Sequence, residues 1–310
     1  MGYGGVRMTT ESLASTVTLN NGVKMPRLGL GVWKTDNASA AKSVSAAIQA
    51  GYRLIDTAKQ YGNETGVGAG ILEGLEKTGL NRKDLFVTTK VFNGDQGYES
   101  TLAAINGSLE RLGLTYLDLY LVHWPVDGKF VDTWKALEEL YYAGKVRAIG
   151  ISNFDVERTQ ELLEYANVTP VINQMEFNPL NQEADVLAFA KLTGTVLEAW
   201  SPLGGGAALN NETIQTIAQR HGKSAAQVII RWDWQRGVVA IPKSSHIERI
   251  KENADIFDFS LSAEEMQAIN ELDEAKRDLW YSDFAWHNAD GHGFKDSVDT
   301  WPDSPENYAD

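Results

Sequence analysis

The chain has 310 residues and a formal net charge of −14 at pH 7, an acidity that disfavours binding to a nucleic-acid backbone. It contains no cysteine, which excludes disulfides, a cysteine nucleophile and cysteine-ligated zinc. No apolar run approaches the ~20 residues that a membrane-spanning helix needs, so a cytoplasmic protein without a membrane partner is expected.

The N-terminal residues 1–14 lack the apolar core of a signal peptide. We expect them to form a flexible leader in front of a single domain that spans residues 15–310. The segment from Val17 to Met25 predicts a β-hairpin, with Asn21-Gly22 as a type I′ turn. This hairpin is expected to plug the bottom of the domain.

From about residue 28 the chain alternates short apolar runs with helical patterns. Such alternation indicates βαβ units and a parallel sheet. About eight units in a chain of this length favour a closed (β/α)₈ barrel over an open sheet. The predicted strands are 28–31, 53–56, 85–90, 116–123, 146–152, 171–176, 195–199 and 238–241. The predicted helices are 38–50, 64–79, 98–112, 131–143, 156–166, 182–192, 212–221, 224–235 and 247–254.

A Rossmann domain is the alternative that the glycine-rich segment Gly66-Val67-Gly68-Ala69-Gly70 raises. In the G-x-G-x-x-G pattern the third glycine would fall on Ile71, so the spacing fails. The segment also lies within a helical pattern and not at a strand-to-helix turn. Small residues that allow close helix packing are the better explanation.

The C-terminal part begins with a capping box, Ser262 to Glu265, which predicts a helix to about Leu272. Residues 274–310 are rich in aromatic residues without a clear period, and we expect this irregular tail to pack over the barrel mouth. The spacing of His287 and His292 matches no structural zinc site, so no metal is expected.

Polar or aromatic residues end most of the predicted strands. In a (β/α)₈ barrel the chemistry lies at the carboxyl ends of the strands, so these residues are expected to share one rim. Asp118, inside the fourth predicted strand, suits a structural role instead. The residues at the strand ends are Asp56, Lys90, His123, Ser152, Asn153, Gln174, Glu176, Trp200, Ser201, Lys243 and Ser244.

Four of the residues near this rim suggest a proton relay. Tyr61 follows Asp56 by five residues, and its ordinary pKa of ~10 is too high for efficient proton exchange at neutral pH. A buried Lys90 would lower that pKa, and would need Asp56 as its counter-charge. His123 could orient the oxygen that receives the proton. Alone, Tyr61 would better suit an aromatic residue packed on the rim; together the four residues predict proton transfer to a carbonyl oxygen.

Seven ordered segments make the chain resemble the aldo-keto reductases. The resemblance runs from about residue 17 to residue 272, and it is closest to the prokaryotic branch of 2,5-diketo-D-gluconate, aldehyde and methylglyoxal reductases. The segments are GYRLIDTAKQYGNE (51–64), TTK (88–90), LVHWP (121–125), GISNF (150–154), NQMEFNP (173–179), AWSPLG (199–204) and IPKSSHIERIKEN (241–253).

The resemblance implies a monomeric, NADPH-dependent reductase of small carbonyl compounds, with the catalytic set Asp56, Tyr61, Lys90 and His123. NADPH would lie extended across the barrel mouth. Its contacts would be Ser152, Asn153 and Gln174 at the carboxamide, Trp200 stacked on the nicotinamide, Ser201 and Leu203 beside it, Lys243, Ser244 and Arg249 at the 2′-phosphate, and Glu252 with Asn253 at the adenine. Substrate would contact Trp33, Phe92 and Trp124.

The chain departs from the family pattern at several positions. His246 replaces a small or basic residue beside the expected phosphate site, and Phe92 replaces a frequent Trp. The loop 204–208 lacks the acidic residue that clamps the cofactor in the mammalian branch. A non-catalytic, nicotinamide-binding barrel that serves as an accessory subunit is the alternative function, and the complete catalytic set argues against it.

Overall fold

The computed structural model describes residues 11–279, and eight parallel strands form its centre. Each of these eight strands pairs with the next along the chain. Bridges from Leu28 to Ala240 and from Gly31 to Lys243 join the last strand to the first. The predicted (β/α)₈ barrel is therefore confirmed. The strands are β1 Thr16–Thr18, β2 Lys24–Pro26, β3 Gly29–Gly31, β4 Leu54–Asp56, β5 Phe86–Val91, β6 Leu119–Val122, β7 Ile149–Ser152, β8 Ile172–Glu176, β9 Val196–Trp200 and β10 Val239–Ala240.

The helices surround the barrel in the predicted order. The capping box predicted at Ser262 is present, and its hydroxyl accepts from the Glu265 amide. Among the described residues no helix combines the length and apolar character needed to cross a membrane. The helices are α1 Asn37–Gln49, α2 Glu64–Thr78, α3 Tyr98–Leu112, α4 Phe130–Tyr142, α5 Val156–Tyr165, α6 Ala184–Thr193, α7 Glu212–His221, α8 Ala225–Arg236, α9 Ile247–Ala254 and α10 Ala263–Asn270.

Glycines allow close packing at the barrel seam and in α2. A Cβ on Gly31 would lie 2.8 Å from the Ile241 carbonyl oxygen, so the seam between β3 and the last strand needs a residue without a side chain. In α2, a Cβ on Gly66 would lie 2.2 Å from the Asn37 carbonyl oxygen. The glycine-rich segment is thus a helix-packing surface, as predicted.

The N-terminal hairpin closes one end of the barrel, as predicted. Leu19 and Met25 are buried against the inward-facing side chains of several strands, among them Leu54 and Leu119. The prediction of a type I′ turn is wrong, because Gly22 has a positive φ of 84° and Asn21 does not. The Gly22 amide donates to the Leu19 carbonyl, which indicates a type I turn followed by a left-handed glycine.

The strand predicted at 116–123 is shorter than expected. Asp118, just before β6, is fully buried and accepts a hydrogen bond from the Val87 amide at 2.9 Å. Its carboxylate also forms ion pairs with Arg82 and Arg147, both at 2.6 Å. Asp118 therefore fixes the start of the strand through side-chain contacts, the structural role that the sequence suggested.

The tail aromatics from Trp280 onward, the histidines at 287 and 292, and residues 1–10 of the predicted leader lie outside the described residues. Within the described range, no group of three or more potential ligand side chains could hold a metal ion.

Candidate active site

A cleft of about 690 Å³ opens at the carboxyl ends of the barrel strands. The cleft lies at the end of the barrel opposite the hairpin. Because the hairpin closes the other end, this rim is the accessible one. Most of the predicted site residues line it. They are Trp33, Asp56, Tyr61, His123, Trp124, Ser152, Asn153, Gln174, Trp200, Ser201, Leu203, Lys243 and Arg249.

Five predicted site residues do not line this cleft. Lys90 is fully buried beneath it. Ser244 accepts from the His246 amide at 3.1 Å, while Glu252 and Asn253 lie on α9. Phe92 does not line the cleft, and its ring centre lies 5.5 Å from the Lys59 ammonium.

Lys90 is the centre of the polar cluster beneath the cleft. Its ammonium donates to Asp56 Oδ1 at 2.6 Å, to the Thr57 carbonyl at 2.9 Å and to Tyr61 Oη at 3.1 Å. These three acceptors match the three hydrogens of an ammonium group. Because Tyr61 accepts in this contact, its own proton is not used to bind Lys90.

Local structure explains how the cluster assembles. Asp56 ends β4, and the chain then turns through a short 3₁₀ segment that ends at Tyr61. Lys90 lies on the neighbouring strand β5, whose Thr88 pairs with Asp56 in the sheet. The tyrosine and the lysine therefore approach each other from consecutive parts of the barrel.

The electrostatics of the cluster follow from burial. Burial raises the pKa of Asp56, and the Lys90 ammonium and the Gln174 amide oppose this rise. Burial, together with the charge of Lys90, lowers the pKa of His123 well below its ordinary value. His123 is consequently neutral at pH 7, with its ring 5.7 Å from that of Tyr61 in an edge-to-face arrangement.

Glu198, fully buried on β9, is a member of this cluster that the sequence analysis missed. The Gln174 amide nitrogen donates to Glu198 Oε2 and to Asp56 Oδ2, both at 2.8 Å. The signal was present in the sequence, since Glu198 is an acidic residue within an apolar strand and two positions before Trp200. Residues two apart on a strand share a face.

Basic side chains line one end of the cleft. Lys34, Lys243 and Arg249 lie there although the chain as a whole is strongly acidic. Partial burial and the neighbouring Lys34 charge lower the pKa of Lys243, as expected where two cations lie close together. This end of the cleft suits a multiply charged anion. Sequence reasoning missed Lys34, which precedes the first helix.

Left-handed backbone conformations mark the same cleft. Lys34, Asn153 and Ser201 line it with φ of 52°, 62° and 48°. Non-glycine residues pay a conformational cost there, and such strain concentrates at functional sites. At Asn153 the conformation lets the side-chain oxygen accept from Trp200 Nε1 at 2.8 Å, which fixes the indole over the barrel mouth.

The C-terminal segment is anchored to the rim of the cleft by two acidic residues. Glu176, at the end of β8, accepts from the backbone amides of Asp278 and Leu279 at 2.9 and 3.2 Å. Glu183 accepts from Arg277 at 2.5 and 2.6 Å. Asp278 and Leu279 thereby line the cleft.

Glu176 is expected to make stability depend on pH. Burial raises its pKa from 4.5 to about 7; the hydrogen bonds from the Asp278 and Leu279 amides oppose this rise, and the charges of Asp278 and Glu183 add to it. The native state therefore binds this proton more tightly than the unfolded state, so the stabilisation is complete below pH ~4.5 and lost as pH rises through about 7. Relative to Glu176→Gln, the wild-type free energy of unfolding should fall by about 2.5 kcal/mol between pH 5 and pH 8.

Denaturant unfolding across this pH range measures the effect. Glu164→Gln, on the exposed face of α5, is the matched control and should follow the wild-type curve. Parallel curves for wild type and Glu176→Gln would contradict the assignment.

Comparison with known proteins agrees with this geometry. The profile described as the Aldo/keto reductase family matches residues 27–274. Glyoxal reductase of Bacillus subtilis (strain 168) is 56% identical over 267 residues, covering 86% of this chain and 95% of that protein. The 9,11-endoperoxide prostaglandin H2 reductase of Trypanosoma cruzi (strain CL Brener) is 54% identical over 265 residues, covering 84% and 92%. An aldo-keto reductase of Bombyx mori, solved in complex with NADP, superimposes on this chain with a TM-score of 0.85. The two are 33% identical, and the match covers 90% of this chain and 98% of that chain.

Proposed function

The chain belongs to the aldo/keto reductase family, and we propose that it reduces small aldehydes, ketones and dicarbonyls with NADPH, using Tyr61 as the general acid. The observation that carries this proposal is the Lys90 ammonium, hydrogen-bonded to both Asp56 and Tyr61 beneath an open cleft. A relative that is a glyoxal reductase supports dicarbonyls such as glyoxal and methylglyoxal as substrates.

The proposed chemistry assigns one task to each member of the catalytic set. The nicotinamide, when bound, supplies the hydride. Tyr61 donates its proton to the carbonyl oxygen, and the Lys90 ammonium at 3.1 Å stabilises the negative charge left on the tyrosine oxygen. Asp56 holds Lys90 charged and in place, since an unpaired ammonium would be costly in this buried position.

His123 has a separate task in this proposal. A neutral imidazole can donate a hydrogen bond without competing with Tyr61 as an acid, and burial beside Lys90 keeps the ring neutral. The ring is therefore proposed to orient the carbonyl oxygen toward Tyr61, a role that suits its position on the cleft wall.

The lining of the cleft fits a dinucleotide, which carries both phosphate groups and flat rings. The basic end of the cleft, formed by Lys34, Lys243 and Arg249, suits the phosphate groups, and the Trp200 indole suits a flat ring. We assign the carboxamide contacts to Ser152, Asn153 and Gln174. The remaining proposed cofactor contacts are Ser201, Leu203, Ser244, Glu252 and Asn253.

Two tryptophans are proposed to shape the substrate side of the cleft. Trp33 packs edge-to-face on Trp200 with ring centres 5.7 Å apart, and Trp124 is buried on the wall near His123. Phe92, outside the lining, is proposed to act on the pocket only through its neighbours. We also propose a cytoplasmic monomer with one barrel domain over residues 15–310.

The test is the loss of NADPH absorbance on addition of glyoxal, methylglyoxal and a panel of larger aldehydes and ketones. We expect turnover of the small dicarbonyls, with NADH as the comparison cofactor. An accessory subunit without catalysis, the second candidate, would bind NADPH and leave its absorbance unchanged with every carbonyl. That result would reject the reductase proposal.

A further inference from the structure

Glu198 lies inside the barrel, directly beneath the cleft. It occupies the middle of β9 and pairs in register with Gln174 on β8. Both residues are at most 1% exposed. A glutamate in such a position carries a large desolvation cost unless its contacts require it.

The Gln174 amide is held between two acids. Its Nε2 donates one hydrogen to Asp56 Oδ2 and one to Glu198 Oε2, each at 2.8 Å. Only the NH₂ end of an amide can serve two acceptors in this way, so the orientation of the amide is determined. Gln174 lines the cleft, and its side-chain carbonyl oxygen is then the polar group that remains available to bind a ligand there.

The charge balance of this cluster leaves Glu198 without a counter-ion. The charged groups that face it are Asp56 on β4 and Lys90 on β5, and Lys90 already pairs with Asp56 at 2.6 Å. Glu198 Oε1 is buried and has no partner among the described residues. Burial and the charge of Asp56 raise the pKa of Glu198 to about 8, so the group is neutral at pH 7.

We propose that Glu198 is a positioning residue for the cofactor: it holds the Gln174 amide against Asp56 and so presents the Gln174 carbonyl oxygen to the cleft. Because Lys90 already pairs with Asp56 and leaves Glu198 without a counter-ion, Glu198 acts here as an uncharged acid. The inference rests on the proposed function, in which the Gln174 oxygen accepts from the nicotinamide carboxamide. It extends the proposed function by a residue that touches neither cofactor nor substrate.

Two substitutions at Glu198 test whether its acceptor oxygen is what holds the Gln174 amide. Glu198→Gln is neutral and keeps an acceptor for Gln174, so the NADPH dissociation constant, measured by tryptophan fluorescence quenching, should stay within about twofold of wild type. Glu198→Leu removes the acceptor and releases the amide. We expect its NADPH dissociation constant to rise roughly fivefold, with the KM of the carbonyl substrate unchanged.

A double-mutant cycle with Gln174→Leu distinguishes positioning from general packing. If Glu198 acts through Gln174, the effect of Glu198→Leu should disappear when Gln174 is already Leu. An effect of equal size in both backgrounds would overturn the proposal, as would wild-type NADPH affinity in a folded Glu198→Leu. Should Glu198→Leu fail to fold, a loss of NADPH affinity in Glu198→Gln would overturn it equally.

The protonation state of Glu198 can be measured in the absence of cofactor. Infrared difference spectra of wild type minus Glu198→Gln should show the carbonyl stretching band of a protonated carboxyl at pH 7, and the band should fade as pH rises through about 8. A carboxylate band at pH 7 would overturn the proposal. Intact NADPH binding with the expected cycle, but no turnover of any carbonyl, would reject the proposed function and leave this inference standing.

Discussion

Tyr61→Phe should lower kcat by roughly 10²–10⁴-fold, the usual contribution of a general acid. The substitution keeps the ring and removes only the hydroxyl that accepts from Lys90 at 3.1 Å. Lys90 keeps Asp56 and the Thr57 carbonyl as acceptors, so the buried ammonium stays paired and the barrel should fold. Steady-state kinetics with methylglyoxal measures the effect.

Binding and a matched variant show whether the loss is chemical. The NADPH affinity of Tyr61→Phe should stay near wild type, because the proposed cofactor contacts are other residues. Tyr120→Phe removes the hydroxyl of another buried tyrosine, on β6, and should leave kcat unchanged within a few-fold. If Tyr61→Phe kept more than about a tenth of the wild-type kcat, a different group would have to supply the proton.

The barrel could be predicted from the sequence because its signals are local and repeated. Helix α3 begins and ends at the predicted residues, Tyr98 and Leu112, and α9 likewise covers Ile247–Ala254. Each strand-to-helix unit carries its own period, and the rule that chemistry lies at the carboxyl ends of barrel strands then gathers residues distant in sequence. The contact between Tyr61 and Lys90, which are 29 positions apart, is one result.

Features that depend on contacts between distant segments could not be predicted in the same way. Glu176 binds the backbone amides of Asp278 and Leu279, which lie 102 and 103 positions further along the chain. The sequence around Glu176 contains no pattern that predicts this contact. The loop at Gly205 has no acidic residue of its own, yet the carboxylate of Asp278 lies 3.2 Å from where a Cβ on Gly205 would be. Only the folded path of the C-terminal segment brings this charge to the cleft.

The hairpin turn and Glu198 illustrate two further limits. An Asn-Gly pair favours a type I′ turn, but the loop here contains one more residue, so only Gly22 adopts a positive φ. For Glu198, the inward-facing register was readable from Trp200, whereas the pairing with Gln174 depends on the alignment of β8 and β9. Register between strands is a property of the closed sheet and not of either strand alone.

Lys243→Gly combined with Arg249→His should weaken NADPH binding far more than NADH binding. Both side chains line the basic end of the cleft, and only NADPH carries the 2′-phosphate that we assign to them. The loss of a charged hydrogen bond costs about 1.5–3 kcal/mol, so each partner should contribute roughly tenfold or more to the dissociation constant. Fluorescence titration of both cofactors gives the comparison.

Charge alone must be separated from phosphate recognition in this experiment. Lys251→Met removes an exposed cation from the same helix, α9, where Lys251 pairs with Glu248 and does not line the cleft. It should change the affinity for NADPH by less than about twofold, since exposed pairs and distant charges are screened by salt.

In the double variant, an equal loss of affinity for NADPH and NADH would mean that Lys243 and Arg249 support the loop without contacting the 2′-phosphate. A selective loss of NADPH binding, with Lys34 still present, would instead place the phosphate between α9 and the segment that follows β10, because these two parts of the chain carry the altered residues.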